Sequence, residues 1–442
     1  MIETAAGVHE VRNYIDGGWV EPSGKAFESR DPATGDLVAT AHASTIEDLS
    51  AAIAAARRTF DKTDWPTTAG KARSAILYEL ARLLREESAG LAQLVAREMG
   101  KPIRYVRERE LEPAIDRILF YAGAARLIHG EVTSSAPGHL LNLVLKEPVG
   151  VCGLITPWND PVDLPLRKIG AAIATGCTFV LKPASDAPAS SMAIFDLLDR
   201  IEALPPGVAN GVVGQGEVVG EALAADPRVD KISFTGSSEV GRRLMELGAG
   251  TFKRIAIEGG GKAPVIVFPD ANLDKAMDAV AVGIFLYAGQ SCTAGSRLLV
   301  HRSIHDTFLD GLIERARALK VGSPLDEDTQ LGPMVSARQL DRVLGYVERG
   351  RTEQNADVGG IDEDLAVAAG VPRLVLVGRR VDREVHAESG EAQAAQVAEV
   401  AQHLRGGGRG ELDDEGAAVG GVHLEAPVVH IGADDVAEVA LD

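Results

Sequence analysis

Between residues 150 and 258 the chain alternates short apolar runs with stretches of helical periodicity. GVCGLITP, TFVLKP, GVVG, KISFTG and RIAIEG are rich in Val, Ile or Phe, and helix-like segments around 162–175, 187–202, 217–225 and 238–248 separate them. Strand–helix–strand units repeated in this way predict a parallel sheet covered on both faces, the doubly wound α/β class. Upstream, Leu49, Ile53, Ala56 and Phe60 recur at helical intervals behind Ser44 and Glu47, which have the spacing of a capping box. A second helix is predicted from about Thr67, burying Ile76, Leu77, Leu80 and Leu84, with Gly100, Lys101 and Pro102 stopping it. RERELEPAIDR (107–117) reads as a solvated helix face, and HLLNLVLKEP (139–148) as an extended arm ending at Pro148.

Length and charge narrow the class. At 442 residues the chain exceeds one ordinary domain, and 45% hydrophobic content can bury a substantial core. The balance of 64 acidic against 45 basic residues, a formal net charge of −19, repels phosphates, so no nucleic-acid partner is expected. Three cysteines, Cys152, Cys177 and Cys292, cannot staple this length and fit a reducing compartment. The opening MIETAAGVHEVRNYIDGG lacks the basic region and apolar block of an export signal. No run of about 18 uncharged apolar residues occurs. A cytoplasmic protein with no membrane partner is expected.

The pattern breaks near residue 350. All 10 Phe, 6 Tyr and 3 Trp precede it, and residues 351–442 contain no Lys, Met or Cys, with 19 acidic residues against seven arginines. RLVLVG (373–378) and APVVHIG (426–432) could be strands, whereas RGGGRG (405–410) and GAAVGG (416–421) read as flexible. The tail is either an aromatic-poor Ala/Gly-rich module or a segment that no longer encodes its original fold, as after a reading-frame shift.

In doubly wound sheets ligands sit beyond the carboxyl ends of the strands. There the first apolar run leads to Trp158 and Asn159, the second to Lys182 and Ser185, the third to Gly214 and Gly216, and the fourth to Gly236 and Ser237. The fifth carries Glu258 into Gly259, Gly260 and Gly261. Amide, ammonium, glycine turns and carboxylate thus converge on one edge, the composition of a nucleotide-plus-chemistry site. FTGSSEVG (234–241) can present backbone N–H groups and a helix dipole to a pyrophosphate, or equally form a capped helix after a tight turn; GQGEVVG (214–220) is similarly unspecific. Cys292 lies in YAGQSCTAGSR, where slender polar neighbours leave a thiol within reach of substrate, although a lone cysteine is most often a small buried hydrophobe. Cys152 and Cys177 fit that structural alternative better. His301 and His305 straddle a strand end, and no metal site is expected from them.

ITPWN (155–159), LKPAS (181–185), FTGSSEVG, IEGGGKAP (257–264) and GQSC (289–292), in this order and spacing, resemble the NAD(P)-dependent aldehyde dehydrogenase superfamily over about residues 10–350. The resemblance implies a Rossmann-like, doubly wound NAD(P)-binding domain from 1–128 and 149–257, an oligomerisation arm at 129–148, and a second α/β catalytic domain, partial, at 258–350. It implies that Cys292 is the nucleophile, adding as thiolate to an aldehyde carbonyl, and that the Asn159 amide with the Cys292 backbone N–H holds the oxyanion. Glu258 would be the general base for the water that hydrolyses the thioester, which favours acid release over acyl transfer to coenzyme A. Cofactor contacts carry over to Thr156, Pro157, Trp158, Lys182, Ser185, Gly216, Phe234, Thr235, Gly236, Ser237 and Gly260, for NAD or NADP. Ser185 stands where many NAD-preferring relatives have Glu, and a hydroxyl does not repel a 2′-phosphate, so the resemblance leaves NADP open.

The departures from the family pattern are specific. Tyr287 replaces a frequent Asn, and Gly259 a frequent Leu. Asp160, Asp163 and Arg167 occupy substrate-channel positions, implying a polar or cationic small-molecule aldehyde unless these charges pair with one another. The family's EEIFGP-like segment and its terminal strand arm, which completes a homo-oligomer, do not occur in 351–442. The tail is therefore expected not to form the family's ending. The competing function is a catalytically impaired, truncated or frameshifted relative that at most binds nucleotide.

Overall fold

The computed structural model describes residues 7–133, 141–353, 357–359, 376–379 and 436–440. Five apolar runs form parallel strands: β1 (Val151–Ile155), β2 (Thr178–Lys182), β3 (Ala209–Gly211), β4 (Lys231–Gly236) and β5 (Arg254–Gly259), ordered β5-β4-β1-β2-β3. Every residue of β1 and β2 is buried, as a strand covered on both faces requires. The third strand precedes most of the GVVG run: Val212 still donates to the Leu181 carbonyl, but Val213 donates to the Asn13 side chain at 3.0 Å. An antiparallel hairpin, Asn13–Ile15 with Gly18–Val20, extends the sheet beyond β3. Helices α1 (Asp163–Thr175), α2 (Pro188–Asp199) and α3 (Ser238–Gly248) separate the strands as the periodicity predicts. Strand order reverses between β1 and β4, and their carboxyl ends flank the crevice where such sheets bind ligands.

Upstream, the helix Ile46–Lys62 is capped one residue later than its sequence suggests. Thr45 Oγ1 accepts from the Asp48 N–H at 3.3 Å and Asp48 Oδ2 accepts from the Thr45 N–H at 2.8 Å, while Ser44 donates to Asn13 at 2.9 Å instead. The second predicted helix is two, Gly70–Glu86 and Ser88–Met99, and Ile76, Leu77, Leu80 and Leu84 are all buried. Gly100 ends the pair at φ +82°. The charge run at 107–117 is not wholly solvated. Val106–Leu111 forms a π-helical turn, and within it Glu110 is 0% exposed.

A second sheet starts from β6 (Pro264–Val267) and β7 (Arg297–His301), packed with α4 (Leu273–Phe285) and α5 (His305–Arg317) around Val267, Met277, Phe285, Leu298 and Phe308. After α6 (Ala337–Glu353) the tail contributes β8 (Asp357–Gly359), β9 (Leu376–Arg379) and β10 (Val436–Ala440), giving the order β6-β7-β10-β9-β8. β9 overlaps the RLVLVG run; APVVHIG, RGGGRG and GAAVGG lie outside the described residues. Glu131–Thr133 pairs antiparallel with Asn142–Val144, leaving Leu141 and Leu143 exposed. Among the described residues no helix is long and apolar enough to cross a membrane.

Candidate active site

The residues expected to hold the cofactor sit at strand ends. Lys182 closes β2 and is only 5% exposed, and among the described residues its ammonium donates no hydrogen bond and joins no ion pair. Burial lowers its pKa to about 8, against the pull of Asp186 and Glu217. Gly216 faces it: a Cβ there would lie 4.0 Å from Nζ. Ser185 Oγ donates to the Gly214 carbonyl at 2.9 Å, which fixes the loop beside this lysine. At the end of β1, the Thr156 N–H donates to the Lys182 carbonyl at 3.1 Å, Pro157 and Trp158 are half-buried, and the Thr156 hydroxyl is buried without a partner. The Thr235 hydroxyl on β4 is also buried and unpartnered. Phe234 packs beneath Gly236, where a Cβ would meet its ring at 2.5 Å; glycine thus lets the backbone turn into α3. Ser237 caps α3, accepting from the Val240 N–H at 3.3 Å. Gly260, past β5, has open space where a Cβ would be. An orphaned buried ammonium, two unpartnered hydroxyls and a capped helix N-terminus fit a phosphate-bearing nucleotide.

The residues expected to carry the chemistry lie on β5, which holds Glu258, and on the loop before β7, which holds Cys292. Cys292 is exposed, whereas Cys152 and Cys177 are buried. Its loop follows a tight turn in which Tyr287 and Ala288 both hold φ of +57°, and Gln290 pins that turn. The Gln290 side chain donates to the Tyr287 carbonyl at 3.0 Å and accepts from the Val335 N–H at 3.0 Å. A Cβ on Gly261 would lie 4.0 Å from the Cys292 carbonyl, so the glycine loop leaving Glu258 abuts the cysteine loop. Glu258 is exposed on β5, opposite Thr235. Lys168 on α1, buried and donating to Ser233 Oγ at 2.8 Å, is lowered to about 8 by burial while the Glu258 charge pulls it back up.

Asn159 is 9% exposed, and its Nδ2 donates to Asp160 at 3.0 Å. Asp160 in turn accepts from Lys101 Nζ at 2.6 Å. Lys101, fully buried, also donates to Glu110 at 2.6 Å and sits 4.4 Å over the Tyr287 ring. Asp163 pairs with Arg117 and with Arg167. The three charges placed in the substrate channel are therefore all paired within the protein, Asp163 and Arg167 with one another. Lys101, Glu110 and Lys168 did not stand out in the sequence. His301 accepts from the Ser303 N–H at 3.2 Å and His305 contacts Asp306; among the described residues no cluster of three or more His, Cys, Asp or Glu could hold a metal.

The aldehyde dehydrogenase family model matches residues 19–388. The chain belongs to the aldehyde dehydrogenase family. The match runs past residue 350, where the motif resemblance stops, and takes in β8 and β9. Betaine aldehyde dehydrogenase of Bacillus subtilis is 40% identical over 341 residues, covering 77% of this chain and 69% of that protein. Among solved structures, the NAD+ complex of an aldehyde dehydrogenase from Bacillus cereus superposes with a TM-score of 0.77 at 38% identity, covering 80% of this chain and 72% of that one. Betaine aldehyde dehydrogenase of Staphylococcus aureus in complex with NAD+ gives 0.80 at 33%, covering 83% and 73%.

Proposed function

We propose that this chain oxidises a polar aldehyde to the carboxylic acid, with NAD(P)+ as hydride acceptor and Cys292 as nucleophile. The observation that carries the proposal is an exposed cysteine whose loop abuts the glycine loop leaving Glu258, a residue of the same parallel sheet whose strand ends lead to Asn159 and the unpaired Lys182. The Cys292 thiolate adds to the carbonyl carbon, forming a C–S bond and an oxyanion. The Asn159 amide and the Cys292 backbone N–H donate to that oxygen, an interaction typically worth about 3–4 kcal/mol. Bound NAD(P)+ supplies the acceptor for the carbon-bound hydride. Lys182, with Ser185 and Gly216 beside it, would hold the adenosine ribose; Gly236 and Ser237 would meet the pyrophosphate. Glu258 takes a proton from the water that attacks the resulting thioester, releasing the acid and restoring the thiol.

Asp160, Asp163 and Glu110 are balanced by Lys101, Arg117 and Arg167, which favours a neutral polar aldehyde over a cationic one. The test is NAD(P)H formation by the full chain with a panel that includes betaine aldehyde and short neutral aldehydes, with Cys292→Ser alongside. Activity lost in the variant supports the proposal. A folded parent that oxidises none of them supports the second reading, an impaired relative that at most binds nucleotide. Two observations favour that reading, the aromatic-free tail and the family match ending at residue 388.

A further inference from the structure

We infer that Asp160, anchored by the buried Lys101–Glu110 pair, is a positioning residue that aims the Asn159 amide at the carbonyl oxygen. This rests on the proposed function, and on a chain of contacts specific to these residues. An asparagine amide carries two N–H bonds on one planar nitrogen. Asp160 takes one at 3.0 Å, which fixes the plane of the amide and leaves the other N–H to point elsewhere. A carboxylate on an exposed loop would be a loose anchor, but here its second oxygen accepts from Lys101 at 2.6 Å, and Lys101 has no solvent exposure. Glu110 holds Lys101 from the other side and is itself fixed by the Val162 N–H at 2.9 Å, two residues past Asp160. The lysine ammonium also lies 4.4 Å over the Tyr287 ring, in the turn that leads to Cys292. One buried cation thus touches both the residue that orients the oxyanion donor and the turn that presents the nucleophile. Such pre-set geometry is what an oxyanion site needs, because its donors must be in place before charge develops.

Asp160→Ala leaves Glu110 on Lys101 and removes the Asn159 anchor together with the second carboxylate on that ammonium. The expected result is a fall in kcat of about tenfold or more, with little change in KM for NAD(P)+. Asp160→Asn, which retains one acceptor oxygen, falls between parent and Ala. Two further readouts separate positioning from simple loss of structure. Alkylation of Cys292 by iodoacetamide passes through no carbonyl oxyanion, so its rate stays at the parental value in both variants. In an Asn159→Ala background, Asp160→Ala has no additional effect on kcat. Hydrolysis of p-nitrophenyl acetate at Cys292 also builds an oxyanion but needs no cofactor, so it reads the network even if aldehyde oxidation fails. A parent without oxidation but with an esterase rate that drops in Asp160→Ala refutes the functional reading and keeps this one. Parental kcat and esterase rates in Asp160→Ala, alkylation slowed in step with kcat, independent losses in the double variant, or a parent inactive in both reactions would overturn it.

Discussion

Lys182→Met makes the cofactor side of the site measurable in two opposite directions. The lysine is 5% exposed, and burial lowers its pKa from 10.5 to about 8. Because the folded value lies below the unfolded one, the folded state is penalised wherever lysine is charged in both states, that is, below about pH 8. A gap of this size corresponds to about 3 kcal/mol. Stability of the parent should rise from about pH 8 towards 10.5, where the folded protein has shed the proton and the unfolded chain has not. Methionine keeps the alkyl stem and carries no charge. Without cofactor at pH 7, Lys182→Met should therefore unfold at a higher temperature than the parent, and the difference should shrink as pH climbs through 8 to 10.5. Cofactor affinity, read from quenching of tryptophan fluorescence, should fall at least tenfold, since a hydrogen bond to a charged group is worth about 1.5–3 kcal/mol. A Lys182→Met variant less stable than the parent at pH 7, or one that binds NAD+ and NADP+ as tightly, would refute the role given to this buried ammonium.

Other substitutions probe separate links. Ser185→Glu places a carboxylate on the loop beside Lys182, where the proposed function puts the adenosine ribose, and should shift the NAD+ over NADP+ preference of kcat/KM by more than tenfold; an unchanged ratio would remove Ser185 from the proposed cofactor site. Glu258→Gln should leave one rapid burst of NAD(P)H per active site and slow the steady state by about 10²–10⁴-fold, because proton removal from water is lost while thiol addition is kept. A lost burst would place Glu258 earlier in the reaction. Glu98 is fully buried and accepts from the Ala189 and Ser190 N–H groups at 2.9 and 2.7 Å in the first turn of α2. Glu98→Ala strands those donors and should destabilise the fold by roughly 3 kcal/mol, seen as an earlier thermal transition; an unmoved transition would contradict the cap.

Much of the first sheet was legible because its signals are local. β4, β5, α1 and α3 lie within a residue of their apolar runs, and the residues ending the strands gather at one edge simply because parallel strands share a direction. The capping box slipped by one because Thr45 and Asp48 repeat the spacing of Ser44 and Glu47, and only the contact with Asn13 decides between them. The Lys101–Glu110–Asp160 network was not legible. Its members stand nine and 59 positions from Lys101, and Glu110 is buried by a π-helical turn within a run whose charge pattern resembles a solvated face. Lys168 was hidden for a similar reason: on a helix of mixed polarity, a lysine reaching back to Ser233 looks like any surface lysine. The tail shows the opposite limit. Its composition argues against a family ending, and the family match stops at residue 388; the short strands within it still join the second sheet, β10 beside β7 and β9 beside β10, because ladder hydrogen bonds do not require aromatic side chains.

In the proposed mechanism Cys292, and no other sulfur, carries the acyl group. Glu258→Gln, mixed with excess aldehyde and NAD(P)+ and quenched in acid after one turnover, should yield a peptide containing Cys292 that is heavier by the acyl group, in proportion to the NAD(P)H formed. NAD(P)H formed with the added mass on Cys152 or Cys177, or on no cysteine, would contradict it.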